Sequence, residues 1–214
     1  MTTTILLAAV FGIVLAFVLA LVFGLTRKFP NAGAGTQAAA GETGAKAMVA
    51  VLACRGTQDA SLPKGEYTGV KNCFAAKIST GSIKRCTWGC QGFGDCVKAC
   101  KSGAISMGKD GLPRIDSGLC SGCKACTVEC PQHIIWIIPR DSKGSRPVCS
   151  NLNVNKDTVK ENCKNGCTKC ELCITACPGQ CIKMANGIPV VDSARCTSCG
   201  TCAAKCPAGV FTIM

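Results

Sequence analysis

Twelve residues from Cys167 to Pro178 read CTKCELCITACP, and a near copy, CTSCGTCAAKCP, runs from Cys196 to Pro207. In each run cysteines are separated by two, two and three residues and closed by proline. So tight a loop turns three thiols toward one side, and a fourth soft donor has to arrive from elsewhere. That is the requirement of a cubane [4Fe-4S] cluster. When two such runs share a folding unit, the fourth cysteine of each crosses to the other's cluster. The expected sets are Cys167, Cys170, Cys173 with Cys206, and Cys196, Cys199, Cys202 with Cys177. Proline after the fourth cysteine stops a short helix and turns the chain back. Zinc sites and disulfides are the competing readings, but zinc ribbons set their cysteines in twos rather than fours.

A second unit of this kind spans Cys86 to Cys130. Its latter half is regular, with Cys120, Cys123, Cys126 and Cys130-Pro131 matching the standard run and Cys100 expected as the fourth donor to the first three. Its earlier half reads CTWGCQGFGDCVKAC: Cys90 and Cys96 bracket five residues as Cys167 and Cys173 do, but Phe93 stands where Cys170 stands. Cys86 is the expected replacement, giving Cys86, Cys90, Cys96 and Cys130. A three-iron cluster or an empty site is the alternative, and Asp95 is a less favoured oxygen donor. Cys163, four residues before Cys167 in the complete unit, argues for a structural thiol at both places.

These runs must be positioned by short elements, and the sequence repeats them. SGAISMGKDGLPRID between Cys100 and Cys120 matches GQCIKMANGIPVVD between Cys177 and Cys196, each a strand, a turn and a strand. MVAVLAC before the first unit reads as a strand, and VLACRG resembles PVCSN before the second. The expected fold is α+β, tandem two-cluster ferredoxin-like units over 48–140 and 141–214, with four [4Fe-4S] clusters. Cys54, Cys73, Cys149 and Cys163 remain over; a fifth cluster from them requires the two approach strands to pair, and buried free thiols are the favoured reading. Cys181 is expected as a buried small side chain, His133 as a surface residue or one that supports a ligand, and Trp136 as packing over a cluster.

Composition agrees with a largely inorganic core: 214 residues carry 21 cysteines but one histidine and seven phenylalanines. Thiols spaced for metal imply a reducing compartment. The formal charge of +12 does not by itself indicate nucleic acid, for no binding motif accompanies it. An oxidised cubane with four thiolates carries about two net negative charges, so four of them bring the total to roughly +4.

Ile5 to Leu25 is an uninterrupted stretch of 21 apolar or glycine residues followed by Arg27 and Lys28. It is expected to span a membrane as a single helix within an anchor over 1–28, with the remainder on the cytoplasmic side of an inner membrane. A cleaved signal peptide is the rival, without its usual basic start. Residues 29–47, rich in Ala, Gly and Thr, are expected to be a flexible linker. Neither a dinucleotide fingerprint nor an acid/base constellation is present, which leaves electron transfer as the chemistry.

The segments ACRGT, KNCFAA, CTWGCQGFGDCVKAC and NGCTKCELCITACP, with the apolar stretch before them, resemble the B subunit of the Rnf complex, the ion-translocating ferredoxin:NAD oxidoreductase. The resemblance implies a subunit that accepts electrons from soluble reduced ferredoxin and relays them toward other membrane and peripheral Rnf subunits, with NAD reduction elsewhere. The family usually carries a further cluster domain beginning with a CGxCG-type motif between anchor and ferredoxin units; Thr26 to Ala53 contains no cysteine. Two rival functions are a membrane-tethered carrier that reduces a redox sensor and an input subunit of another membrane oxidoreductase. Co-purification with flavin-bearing integral subunits distinguishes them from Rnf.

Overall fold

A computed structural model describes residues 47–214. The expected membrane span at 5–25 and nearly all of the linker lie outside those residues. Among the described residues no helix is long and apolar enough to cross a membrane. From residue 47 onward the chain belongs to one compact unit in which the same α+β arrangement is built twice.

In the first half β1 (Met48–Leu52) pairs antiparallel with β4 (Ile135–Pro139), Ala50 opposite Ile137, while β2 (Ile105–Met107) pairs with β3 (Pro113–Ile115). In the second, β5 (Ser145–Pro147) pairs with β8 (Phe211–Ile213) and β6 (Ile182–Ala185) with β7 (Ile188–Val191). The two approach strands β1 and β5 therefore each close their own half and do not pair with each other. The helices are α1 (Cys73–Thr80), α2 (Asp95–Lys98), α3 (Ala125–Glu129), α4 (Lys156–Asn162), α5 (Leu172–Thr175) and α6 (Thr201–Lys205). α2 and α3, and likewise α5 and α6, follow directly from the cysteine loops and pack as pairs.

Isolated two-stranded ribbons of three to five residues are marginal in water, so something else must hold these. The buried apolar groups are few and cysteines sit among them: Val49, Ala50, Ile105, Ile135 and Ile138 pack with Cys96, Cys120 and Cys126, and Ile182, Val210 and Phe211 with Cys149, Cys173 and Cys202. Such a core closes only around the thiols and what they bind.

The cysteine loops share one backbone. Gly122 and Lys124, Lys169 and Glu171, Ser198 and Gly200, and Gly92 and Gly94 all have positive φ, two and four residues after the first cysteine of their loops. Alternating left-handed residues curl the chain so that successive cysteines face one side. L residues occupy the left-handed region at about 1–2 kcal/mol, and Lys169 and Glu171 do so here at φ 55 and 61. Gly122 is different, because an added Cβ meets the Met48 carbonyl oxygen at 2.6 Å, whereas at Gly200 it meets nothing within 4 Å. Gly122→Ala is thus expected to lower the thermal midpoint of the iron-loaded full chain by several degrees more than Gly200→Ala, read by anaerobic circular-dichroism melts.

Candidate metal centres

All 21 cysteines lie among the described residues, and none is in a disulfide. Twelve of them line three small cavities in fours, four more group around Cys126, and a further four form a group that contains no exposed thiol.

In the second half the expected groups are brought together. Cys167, Cys170, Cys173 and Cys206 line one cavity, roofed by Val210 and Phe211. Cys177, Cys196, Cys199 and Cys202 line another, together with Cys181, whose sulfur lies 3.4 Å from that of Cys177. Cys181 is buried, as the sequence suggested. In the first half Cys126 is surrounded by the charges of Cys120, Cys100 and Cys123, which joins the four expected partners.

The remaining group of the first half differs from expectation. Cys90, Cys96 and Cys130 share a cavity with Cys73, and Cys86 faces a different one with Cys54, Cys149 and Cys163. The physical reason lies in one turn and one aromatic residue. The Gly89 N–H donates to the Cys86 carbonyl at 3.1 Å, and this turn carries the Cys86 side chain away from the loop that follows. Meanwhile Phe93 occupies the middle position of that loop, its ring 5.7 Å from that of Tyr67. Cys73 comes over it from the start of α1: its backbone N–H donates to Asp95 Oδ2 at 2.7 Å, and the N–H groups of Asp95 and Phe93 point at its sulfur. A thiol from α1 thus takes the place left open by Phe93. Asn72 caps that helix, its side chain accepting from the Ala75 N–H at 2.6 Å, and Ala76 is fully buried, so α1 is fixed where Cys73 is needed.

Each fourth cysteine sits in one turn type. The N–H three residues on donates back to its carbonyl, Gly103 to Cys100, His133 to Cys130, Gln180 to Cys177 and Gly209 to Cys206, at 3.0–3.2 Å. His133 has φ 52, so its position follows from this turn.

Backbone donors are already aimed at the sulfurs. Ala50 N–H donates to Cys120 Sγ at 3.5 Å and Ser145 N–H to Cys196 Sγ at 3.4 Å, while Val210 N–H donates to Cys206 Sγ at 3.4 Å. Burial pushes the thiols of Cys90 and Cys96 up to about 12 and that of Cys173 up to about 11. Exposed Cys123 is instead pulled down by the Ala125 N–H, and exposed Cys199 by the Thr201 hydroxyl. A buried thiol ionises in such a place only against positive charge, which a metal supplies. Among the described residues no three His, Cys, Asp or Glu side chains converge closely enough for a single metal ion. A tetrahedral zinc would draw its sulfurs to about 3.8 Å of one another. Thiols ringed around a small cavity, with N–H groups directed at sulfur, fit a multi-iron core instead.

Residues 166–210 match the model of the 4Fe-4S dicluster domain, and residues 113–136 that of the 4Fe-4S binding domain. Three relatives share the larger part of the chain. The B subunit of the ion-translocating oxidoreductase complex of Methanosarcina acetivorans is 38% identical over 154 residues, 72% of this chain and 58% of that protein. The B subunit of the proton-translocating ferredoxin:NAD(+) oxidoreductase complex of Clostridium ljungdahlii is 39% identical over 171 residues, 76% and 57%. The B subunit of the Na(+)-translocating ferredoxin:NAD(+) oxidoreductase complex of Acetobacterium woodii is 33% identical over 159 residues, 74% and 47%. The chain belongs to this family of B subunits. It spans about half the length of these relatives.

The swap between Cys73 and Cys86 gives a direct test. Cys73→Ala is expected to convert one cluster of the anaerobically reconstituted chain to a three-iron form or abolish it. Adding Phe93→Cys in the same chain is expected to restore it, read by iron content and by the electron paramagnetic resonance (EPR) of the oxidised three-iron species.

Proposed function

We propose that this chain is an iron–sulfur electron-transfer subunit of an Rnf-type ion-translocating ferredoxin:NAD oxidoreductase, taking electrons from reduced soluble ferredoxin and delivering them to other subunits of a membrane complex. The observation that carries this reading is the pair of crossed thiol groups in each half of the described chain. In each group one cysteine comes from the opposite run, Cys130, Cys100, Cys206 and Cys177, which is the ligand pattern of a two-cluster ferredoxin.

The ligand sets are then Cys73, Cys90, Cys96 and Cys130; Cys100, Cys120, Cys123 and Cys126; Cys167, Cys170, Cys173 and Cys206; and Cys177, Cys196, Cys199 and Cys202. A [4Fe-4S] cluster in each supplies a site that gains and loses one electron without bond making. The chain's own residues do the rest. The crossed fourth cysteine keeps the two sites of a half adjacent. Ile134 and Val210, each 1% exposed, keep water from the sulfurs, and the N–H donors to Cys120, Cys196 and Cys206 favour the more negative, reduced state. Exposed Cys123, Cys170 and Cys199 put three of these sites near the surface, where a partner can exchange electrons. The apolar stretch at 5–25 supports attachment to a membrane, with the cluster-bearing part on the cytoplasmic side.

Reconstituted anaerobically with iron and sulfide, the full chain is expected to hold at least about sixteen irons with equal acid-labile sulfide, and its visible absorption to bleach on adding catalytic reduced ferredoxin. Zinc without iron, or iron that reduced ferredoxin does not reduce, overturns this reading.

A further inference from the structure

Cys54, Cys86, Cys149 and Cys163 line a cavity of about 310 Å³ of empty space, close to the 320–370 Å³ of the ferredoxin-type cavities. Cys54 and Cys86 come from the first half of the chain, Cys149 and Cys163 from the second. The thiols whose charges bear on Cys86 are Cys54, Cys163 and Cys149. Three of the four are buried and Cys54 is half-buried.

The surroundings are built with the same devices as the other sites. The N–H groups of Gly56 and Cys90 donate to Cys54 Sγ, each at 3.4 Å, and the Cys167 N–H donates to Cys149 Sγ at 3.4 Å. Gly56 is where the chain passes closest, since a Cβ there meets Ser61 at 3.2 Å and the sulfurs of Cys163 and Cys54 at 3.5 and 3.6 Å. Cys86 and Cys163 begin matching turns, in which the N–H of Gly89 and of Gly166 donates back to their carbonyls at 3.1 and 3.0 Å. The walls are tied across the two halves: Ser150 Oγ donates to the Ala53 carbonyl at 2.9 Å, Asn165 Nδ2 to the Arg55 carbonyl at 3.0 Å, and Lys164 N–H to the Ala60 carbonyl at 2.8 Å.

One buried charge stands beside these thiols. Lys84 is 7% exposed, its Nζ donates to the Gly56 carbonyl at 2.7 Å, and its charge bears on Cys54 and Cys163. The ion pairs Lys98–Asp95 and Arg114–Asp110 leave it out. A buried ammonium needs negative charge nearby, and four neutral thiols do not provide it. Four thiolates around a cubane core do, at about two net negative charges when oxidised.

We propose that Cys54, Cys86, Cys149 and Cys163 bind a fifth [4Fe-4S] cluster that joins the two halves, with Lys84 as its buried counter-charge. This rests on the electron-transfer reading above and extends it, for the site lies between one cluster site of each half. The N–H of Cys90, a ligand in the first half, and that of Cys167, a ligand in the second, both donate to its sulfurs. One electron entering from the reduced neighbour on one side oxidises that neighbour, reduces this cluster, and leaves to the neighbour on the other; no proton or covalent bond is exchanged.

The test is iron and acid-labile sulfide per anaerobically reconstituted full chain, with EPR of the reduced sample. About twenty irons are expected in the unaltered chain and about sixteen in Cys163→Ala and in Cys149→Ala. Lys84→Met is expected to retain about twenty irons and shift one redox component to lower potential with the others unmoved. About sixteen irons in the unaltered chain, unchanged by Cys163→Ala, overturns the fifth site and leaves the ferredoxin-type reading intact. One zinc in place of four irons at this site also overturns it. Iron absent altogether overturns both.

Discussion

A loop of cysteines three residues apart presents three thiols to one side and no more. An iron–sulfur site built on such a loop must borrow a fourth thiol from a distant segment, and much of the architecture follows from that shortage. Within each half the borrowing is mutual, so Cys130 crosses to one thiol group and Cys100 to the other, as Cys206 and Cys177 do later. The helices α2, α3, α5 and α6 are only four or five residues long because each needs merely to carry a chain from its third to its fourth cysteine. Ribbons too short to be stable alone are held by packing against the cysteines of their own half.

The regular runs disclose three of the thiol groups, because their spacing admits one geometry. The fourth departs from its spacing at Cys86 for a definable reason. Sequence proximity to Cys90 suggests a shifted ligand, but the turn closed by Gly89 aims Cys86 elsewhere. The signal is nonetheless present in the repeat. Cys54 and Cys86 have counterparts in Cys149 and Cys163, whereas Cys73 has none, and Phe93 marks the one vacancy. An unmatched cysteine and an unmatched gap in the same repeat belong together. What the sequence does not carry is the distance between the halves. From the sequence, a meeting of the leftover thiols requires β1 to pair with β5, yet the structure brings Cys54 and Cys149 together just beyond those strands, by side-chain and loop hydrogen bonds instead.

Charge tells a similar story. The basic excess of the chain is partly placed against sulfur rather than spread over a binding face. Lys169 donates to the carbonyls of Asn151 and Cys167 at 2.7 and 2.9 Å, and its charge bears on Cys167; Lys84 does likewise from within the protein. Lys98, by contrast, is a surface residue with Asp95 at 3.8 Å, and a pair so exposed contributes little. Proximity in sequence to a cysteine does not separate these cases, because the lysine stem reaches its carbonyl partners across turns.

The two halves of the described chain are therefore not beads on a string. A free hinge between them would let each unit exchange electrons independently, and would leave Ser61, buried between them, without the Asn162 carbonyl that its hydroxyl meets. Ser61 instead pairs in an antiparallel bridge with Cys163. Ser82 Oγ donates to the Cys86 carbonyl at 3.2 Å and accepts from Lys84 N–H and Gln91 Nε2. Polar groups buried with their partners across or beside a junction make separation costly. A rigid junction suits a relay, for electron transfer between fixed sites depends on their separation and is defeated by a joint that opens.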